Sequence, residues 1–137
     1  MDSHAVYRVP DWDYSHNTAG GNMYASAEDL ARFGRAVMRP GFLSRESLTL
    51  LFTAPRVDTA TSRMSFGFFV VEPAAGVPRR LNINGSNAGL QAALYVWPDD
   101  DVVVVVLSNT WGIGSSSGDM VTTIPERVGR VCLGLPI

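Results

Sequence analysis

Apolar and polar positions change their spacing partway along this chain. After Ser26, the residues Leu30, Phe33, Val37 and Met38 recur at three- and four-residue intervals, which lays them on one face of a helix. Ser26 stands at the N-cap position with Asp29 three residues on, in the manner of a capping box, and Pro40-Gly41 ends the segment. A second short helix follows, with Ser44 as cap, Leu48, Leu51 and Phe52 as its stripe, and Pro55 as its stop. Arg56 to Met64 reads as loop, and so does the polar, aromatic stretch Met1 to Asn22 with Pro10 and Gly20-Gly21.

Beyond Met64 the composition turns β-branched and aromatic. "SFGFFVVE" (Ser65 to Glu72) predicts a strand and "PAAGVP" a turn. "RRLNIN" (Arg79 to Asn84) predicts a second strand, interrupted by Gly85, and "AALYVW" (Ala92 to Trp97) a third. Pro98-Asp99-Asp100-Asp101 is a turn, and the unbroken run Val102 to Leu107 implies a fourth strand buried on both faces. Connections this short make the strands an antiparallel meander. "GIGSSSG" reads as a flexible loop. Met120, Val121, Ile124, Val128, Val131, Cys132 and Leu135 then return to helical spacing, with Pro125 marking a kink or a restart. The predicted fold class is α+β: an antiparallel sheet meander with flanking helices.

Composition narrows the function. The chain has 137 residues, one domain by length, and 46% of them are hydrophobic, enough for a modest core. A net charge of −2 argues against nucleic acid as a partner. All eleven basic residues are Arg, so no Lys can serve as general base or Schiff-base former. Cys132 has no second Cys to pair with and lies on an apolar helical stripe, which predicts a buried hydrophobe. No apolar run is long enough for a membrane span, and the opening residues lack the apolar core of a secretory signal. Nothing in the sequence calls for a cofactor or a metal.

Several residues invite a chemical reading. Ser86 would need glycines two before and two after it to sit on a nucleophile elbow; Asn84 and Ala88 stand there, so it reads as a turn serine. Asp11, Asp13 and His16 read as surface polar residues of the N-terminal loop, where His4 also falls. The three consecutive aspartates lack the glycine and glutamate of a calcium loop and read as a solvated turn. Trp12, Trp97 and Trp111 read as packing residues.

Two longer stretches carry a resemblance. "TAGGNMYASAEDLARFGRAVMRPGFLSRESLTLLFTAP" is similar to the Ala-Gly-Gly, Ser-x-Ala-Glu-Asp-Leu-Ala-Arg-Phe segment of the serine beta-lactamase-related family. That family joins class C beta-lactamases, penicillin-binding DD-peptidases, esterases and LACTB-like serine proteases. "FGFFVVE" and "INGSNAGLQAALYVWPDDDVVVVVLSN" resemble its Tyr-Gly-x-Gly-Trp strand, its His-Ser/Thr-Gly strand and the hairpin that follows. The resemblance covers roughly residues 19–135. It implies an antiparallel sheet flanked by helices, with the His-x-Gly strand lining the cleft. It also implies a serine of a Ser-x-x-Lys motif as nucleophile, a Tyr-x-Asn motif beside it, and backbone N–H groups on the oxyanion.

Carried over residue by residue, the third motif falls on Ile83-Asn84-Gly85. Gly85 matches the glycine that leaves room for substrate, and Ser86 the residue donating the oxyanion N–H. Asn84 stands at the Ser/Thr position, able to hydrogen-bond a substrate carboxylate, and Ile83 replaces His or Lys. The expected substrate-binding residues are thus Asn84, Gly85 and Ser86. No catalytic residue is assigned, because a chain without Lys holds no Ser-x-x-Lys and "YSHN" is one residue too long for Tyr-x-Asn. The resemblance predicts residues 1–22 as a loop segment and 23–137 as a partial domain, the C-terminal part of the fold. In the family the last strand pairs with an N-terminal one. The edge Val102 to Leu107 is therefore expected to meet a complementing segment or a second copy. A stand-alone pseudoenzyme or binding module using the residual cleft is the alternative. A hydrolase with relocated residues, such as His16 with a serine, is a weaker third reading.

Overall fold

The computed structural model describes residues 8, 11, 13–53, 58–59, 62–110 and 119–137. Helices α1 (Ala27–Met38) and α2 (Arg45–Thr53) come first. Six strands follow: β1 (Asp58–Thr59), β2 (Ser62–Ser65), β3 (Phe68–Val71), β4 (Arg80–Asn87), β5 (Leu90–Trp97) and β6 (Val102–Ser108). A wide, π-type helical turn (Asp119–Thr123) then leads into α3 (Ile124–Cys132). Every strand pairs antiparallel with its neighbour in sequence, in the order β1-β2-β3-β4-β5-β6. The arrangement is α+β, as predicted.

Ser26 caps α1 from extended backbone, its Oγ accepting the Asp29 N–H at 3.1 Å. The hydroxyl in turn donates to the Asp29 carboxylate at 2.7 Å, so the pair departs from a capping box, where the acid would reach back to the cap N–H. Successive residues of β5 point to opposite faces. Leu94 and Val96 join Val37, Leu51, Phe68, Val70 and Leu81 in a core under α1 and α2. Ala93, Tyr95 and Trp97 join Val104 and Val121 in a second core on the α3 side. Both helices come close to the sheet at glycines. A Cβ on Gly34 would lie 2.9 Å from Val103 and 3.0 Å from Leu94, and one on Gly129 would run into the Trp97 indole.

The structure corrects several expectations. The predicted loop Arg56 to Met64 contains β1 and most of β2. The expected strand Ser65 to Glu72 is two strands, split by a turn at Phe66 (φ 44°) and Gly67 (φ 89°). Two successive positive φ values are what a tight two-residue hairpin requires. Gly85 does not interrupt its strand: β4 runs unbroken to Asn87, and Gly85 pairs with Ala92. The turn falls at Ala88-Gly89 instead, with Gly89 at φ 73°.

Val102 to Leu107 lies between α1 and α3, yet only Val104 is buried and Leu107 is 43% exposed, because β6 ends the sheet order. Pro125 marks a restart: it sits in the first turn of α3, where a missing N–H costs nothing. The predicted stripe of that helix is rotated off the sheet. Pro125 and Gly129 are buried, whereas Val128 and Val131 are exposed. Cys132 is exposed as well, not the buried hydrophobe expected. The triple-aspartate turn is exposed as expected, and two of its carboxylates are ion-paired at the surface, Asp99 with Arg79 at 2.5 Å and Asp101 with Arg39 at 2.6 Å. The expected loop "GIGSSSG" lies outside the described residues.

The two glycine contacts differ in what a methyl group would meet. Gly129→Ala must displace a rigid, fully buried indole and is expected to destabilise by about 1–3 kcal/mol, after any gain in helix propensity. Gly34→Ala meets the methyl ends of Val103, Leu94 and Val96 at 2.9, 3.0 and 3.3 Å, so the propensity gain of about 1 kcal/mol should offset part of the strain and the loss should be the smaller of the two. Urea unfolding of the two variants checks the contrast.

Candidate functional site

The site forms where β4 outruns β3. Pairing between the two covers only Arg80 to Asn82 of β4, whereas pairing with β5 continues from Leu81 to Asn87. Among the described residues, Ile83 to Asn87 therefore has a strand neighbour on one side only. The N-terminal segment crosses near the tip of this hairpin. The Tyr14 hydroxyl donates to the Ala88 carbonyl at 3.1 Å, and Asn17 Nδ2 donates to the Gly21 carbonyl at 3.4 Å. Gly21 takes φ 78°, a conformation that suits glycine, with the Asn17 and Asn87 amides close by. Between this segment, the first half of α1 and the β4–β5 hairpin lies a cleft of about 800 Å³. Tyr14, Tyr24, Phe33, Ile83, Ala92 and Leu94 contribute to its lining.

The three expected substrate-binding residues all border this cleft, but their side chains diverge. Ile83 and Gly85 pair with Leu94 and Ala92 and share the α1 face by strand alternation. A Cβ on Gly85 would meet nothing within 4 Å, so its bare backbone fronts open space. Asn84 and Ser86 pair with Ala93 and Gln91, on the α3 face. Asn84 also borders a second hollow of about 620 Å³ on that side, with Phe69, Arg80, Asn82, Tyr95 and Glu126.

Sequence reasoning missed two parts of this surroundings. One is the aromatic wall, Tyr14 and Tyr24, whose signal was the density of aromatic residues around the Gly-Gly pair. The other is the polar cluster of the second hollow. There Arg80 is ion-paired with Glu126, donates to Asn82 Oδ1 at 3.3 Å and lies 5.1 Å over the Tyr95 ring. The Tyr95 hydroxyl donates to the Val121 carbonyl at 3.2 Å. Burial pushes the Tyr95 phenol above its ordinary value; the Arg80 cation pulls it back and the Glu126 carboxylate adds to the rise.

Other singled-out residues lie apart. Asp13 accepts the Ser15 N–H at 2.8 Å, which holds its carboxyl below the ordinary range, and Asp11 pairs with Arg8. His16 is exposed in the same segment, and Trp97 is core. His4, Trp12 and Trp111 lie outside the described residues. Among the described residues, no three His, Cys, Asp or Glu side chains gather as metal ligands, and no helix is long and apolar enough to cross a membrane.

The cleft thus presents a strand stretch with one open side, a bare glycine backbone and an apolar wall. Such an edge can hold an extended ligand by main-chain hydrogen bonds. A model of the Beta-lactamase family matches residues 1–123, covering the N-terminal segment, α1, α2 and the whole sheet. The chain belongs to that family. No curated protein and no solved structure matches it. Membership brings a serine-hydrolase type of function and agrees with the observed α+β arrangement of this beta-lactamase-like chain.

The raised Tyr95 phenol sets an alkaline limit on stability. The folded state keeps that proton after the unfolded chain loses it, so the contribution is complete below the ordinary phenol value of 10.0 and declines as pH rises through the folded pKa. Tyr95→Phe should lose about 0.5–1.5 kcal/mol at neutral pH with its hydrogen bond. It should also fall less steeply between about pH 9 and pH 11, as thermal melts across that range would read.

Proposed function

We propose that the chain is the C-terminal part of a serine hydrolase that works by acyl transfer on a beta-lactam, a D-Ala peptide or an ester, and that it is inert by itself. Residues 1–22 form a loop segment of this unit and 23–137 a partial domain. The observation that carries the reading is the absence of Lys from a chain of this family. Acylation through Ser-x-x-Lys needs a lysine to take the serine proton, and eleven arginines cannot do so at neutral pH. The nucleophile and its base then belong to another segment or another chain.

The roles left to this chain concern binding. Gly85 lets substrate approach the strand, the Ser86 N–H stabilises the oxyanion, and Asn84 hydrogen-bonds substrate from the far side of the edge. The outer edge of β6 has no strand beside it among the described residues, and Leu107 stands exposed on that strand. A run of valines with an open edge is a template for strand addition. Its partner is a complementing N-terminal segment or a second copy of the chain. A stand-alone binding module is the second reading, supported by the open cleft of about 800 Å³ that described residues already line.

Purified chain should hydrolyse nitrocefin and p-nitrophenyl butyrate at the background rate. Turnover that disappears in Ser86→Ala or His16→Ala would overturn the inert reading. In light scattering the chain should self-associate as concentration rises, and Leu107→Lys should move the population toward monomer. A monodisperse monomer of the unaltered chain at high concentration would sink the edge assignment.

A further inference from the structure

The described lining of the cleft contains no charged side chain. It consists of tyrosines, asparagines, glycines, Gln91, Ser86 and apolar residues such as Phe33, Ile83, Ala92 and Leu94. Neither cation of the adjoining helix, Arg32 or Arg35, lines the cleft, and Arg32 is ion-paired with Glu28 at 2.6 Å and with Asp29 at 2.8 Å. Of the orphan N–H groups at the start of α1, that of Asp29 is taken by the Ser26 hydroxyl, with the Asp29 carboxylate beside it. An anion entering the cleft would give up part of its hydration and meet no counter-charge in the described lining. An uncharged acyl compound gives up little, and gains from burial against the aromatic and aliphatic wall.

We infer that this cleft selects neutral, apolar acyl compounds, such as esters or amides with an uncharged aryl or alkyl group, over ligands carrying a carboxylate. The inference rests on the reading of the cleft as the substrate groove and narrows its substrate class. Asn84 does not offset the missing charge: its amide is neutral and reaches substrate only from the α3 side of β4.

A matched pair of probes tests this on the intact chain: methyl phenylacetate and the phenylacetate anion, titrated while methyl resonances of Ile83, Ala92 and Leu94 are followed by NMR. The neutral ester should bind at least about tenfold more tightly. Ile83→Lys should shrink or reverse that ratio by about tenfold. Leu90→Lys, at a 46% exposed position of the same lining, should shift it in the same direction without disturbing the core. Equal or tighter binding of phenylacetate by the unaltered chain, with shifts at those methyls, overturns the selectivity and leaves the groove standing. No shift at those methyls with either probe overturns both the selectivity and the groove.

Discussion

Strand β5 is covered on both faces, and each covering helix reaches it past a glycine. On one side Gly34 brings α1 against Leu94, Val96 and Val103; on the other Gly129 brings α3 against the ring of Trp97. Burying side chains such as Leu94, Val96 and Trp97 contributes on the order of 1.5–3 kcal/mol each, provided that the contact is close. A glycine within a helix sacrifices about 1 kcal/mol of propensity. That loss is offset only where another residue would hold the helix off its sheet. The tight approach fixes β5, and β5 in turn fixes β4 through seven registered pairs from Leu81–Val96 to Asn87–Leu90.

The functional geometry follows from that rigidity together with a mismatch in strand length. Because β3 stops pairing at Asn82, the rest of β4 stands clear on that side while it stays in register with β5. The N-terminal segment, held at Ala88 by Tyr14, then turns an open strand into the floor of a cleft. The same strand separates two environments. Its α1 face looks into an uncharged hollow, and its α3 face into a cluster organised by Arg80, Glu126 and Tyr95. Family membership and the absent lysine place the acylating groups elsewhere in our reading. The parts that hold a ligand and the parts that react with it would then lie on separate stretches of chain.

Much of this was legible from residue spacing. Both early helices follow from their stripes and serine caps, and the strands around "AALYVW" and "VVVVVL" from β-branched density. The family was legible from the Ala-Gly-Gly segment and the hairpin region, as the family match bears out. The failures have particular causes. Gly67 hides within an aromatic run, so the Phe66-Gly67 turn looks like continuous strand. Gly85 looks like a break, yet cross-strand pairing carries the backbone through it. The apolar spacing of α3 suggests a buried stripe through Cys132, while close contact at Gly129 turns another face inward. Strand alternation places Asn84 and Gly85 on opposite faces. That divergence was implicit in their adjacency and became clear only with the register.

The strand order also bears on how the chain reaches its fold. Each strand pairs with the next one along, through turns as brief as Phe66-Gly67 and Ala88-Gly89. Closing loops of that size loses little chain entropy, and local pairing is the arrangement that forms fastest. The ribbon can zip up one turn at a time. The last strand added, β6, is one of the two that end the sheet order, with no strand on its outer side among the described residues, so the nascent sheet would stay receptive to a newcomer from the moment it is complete.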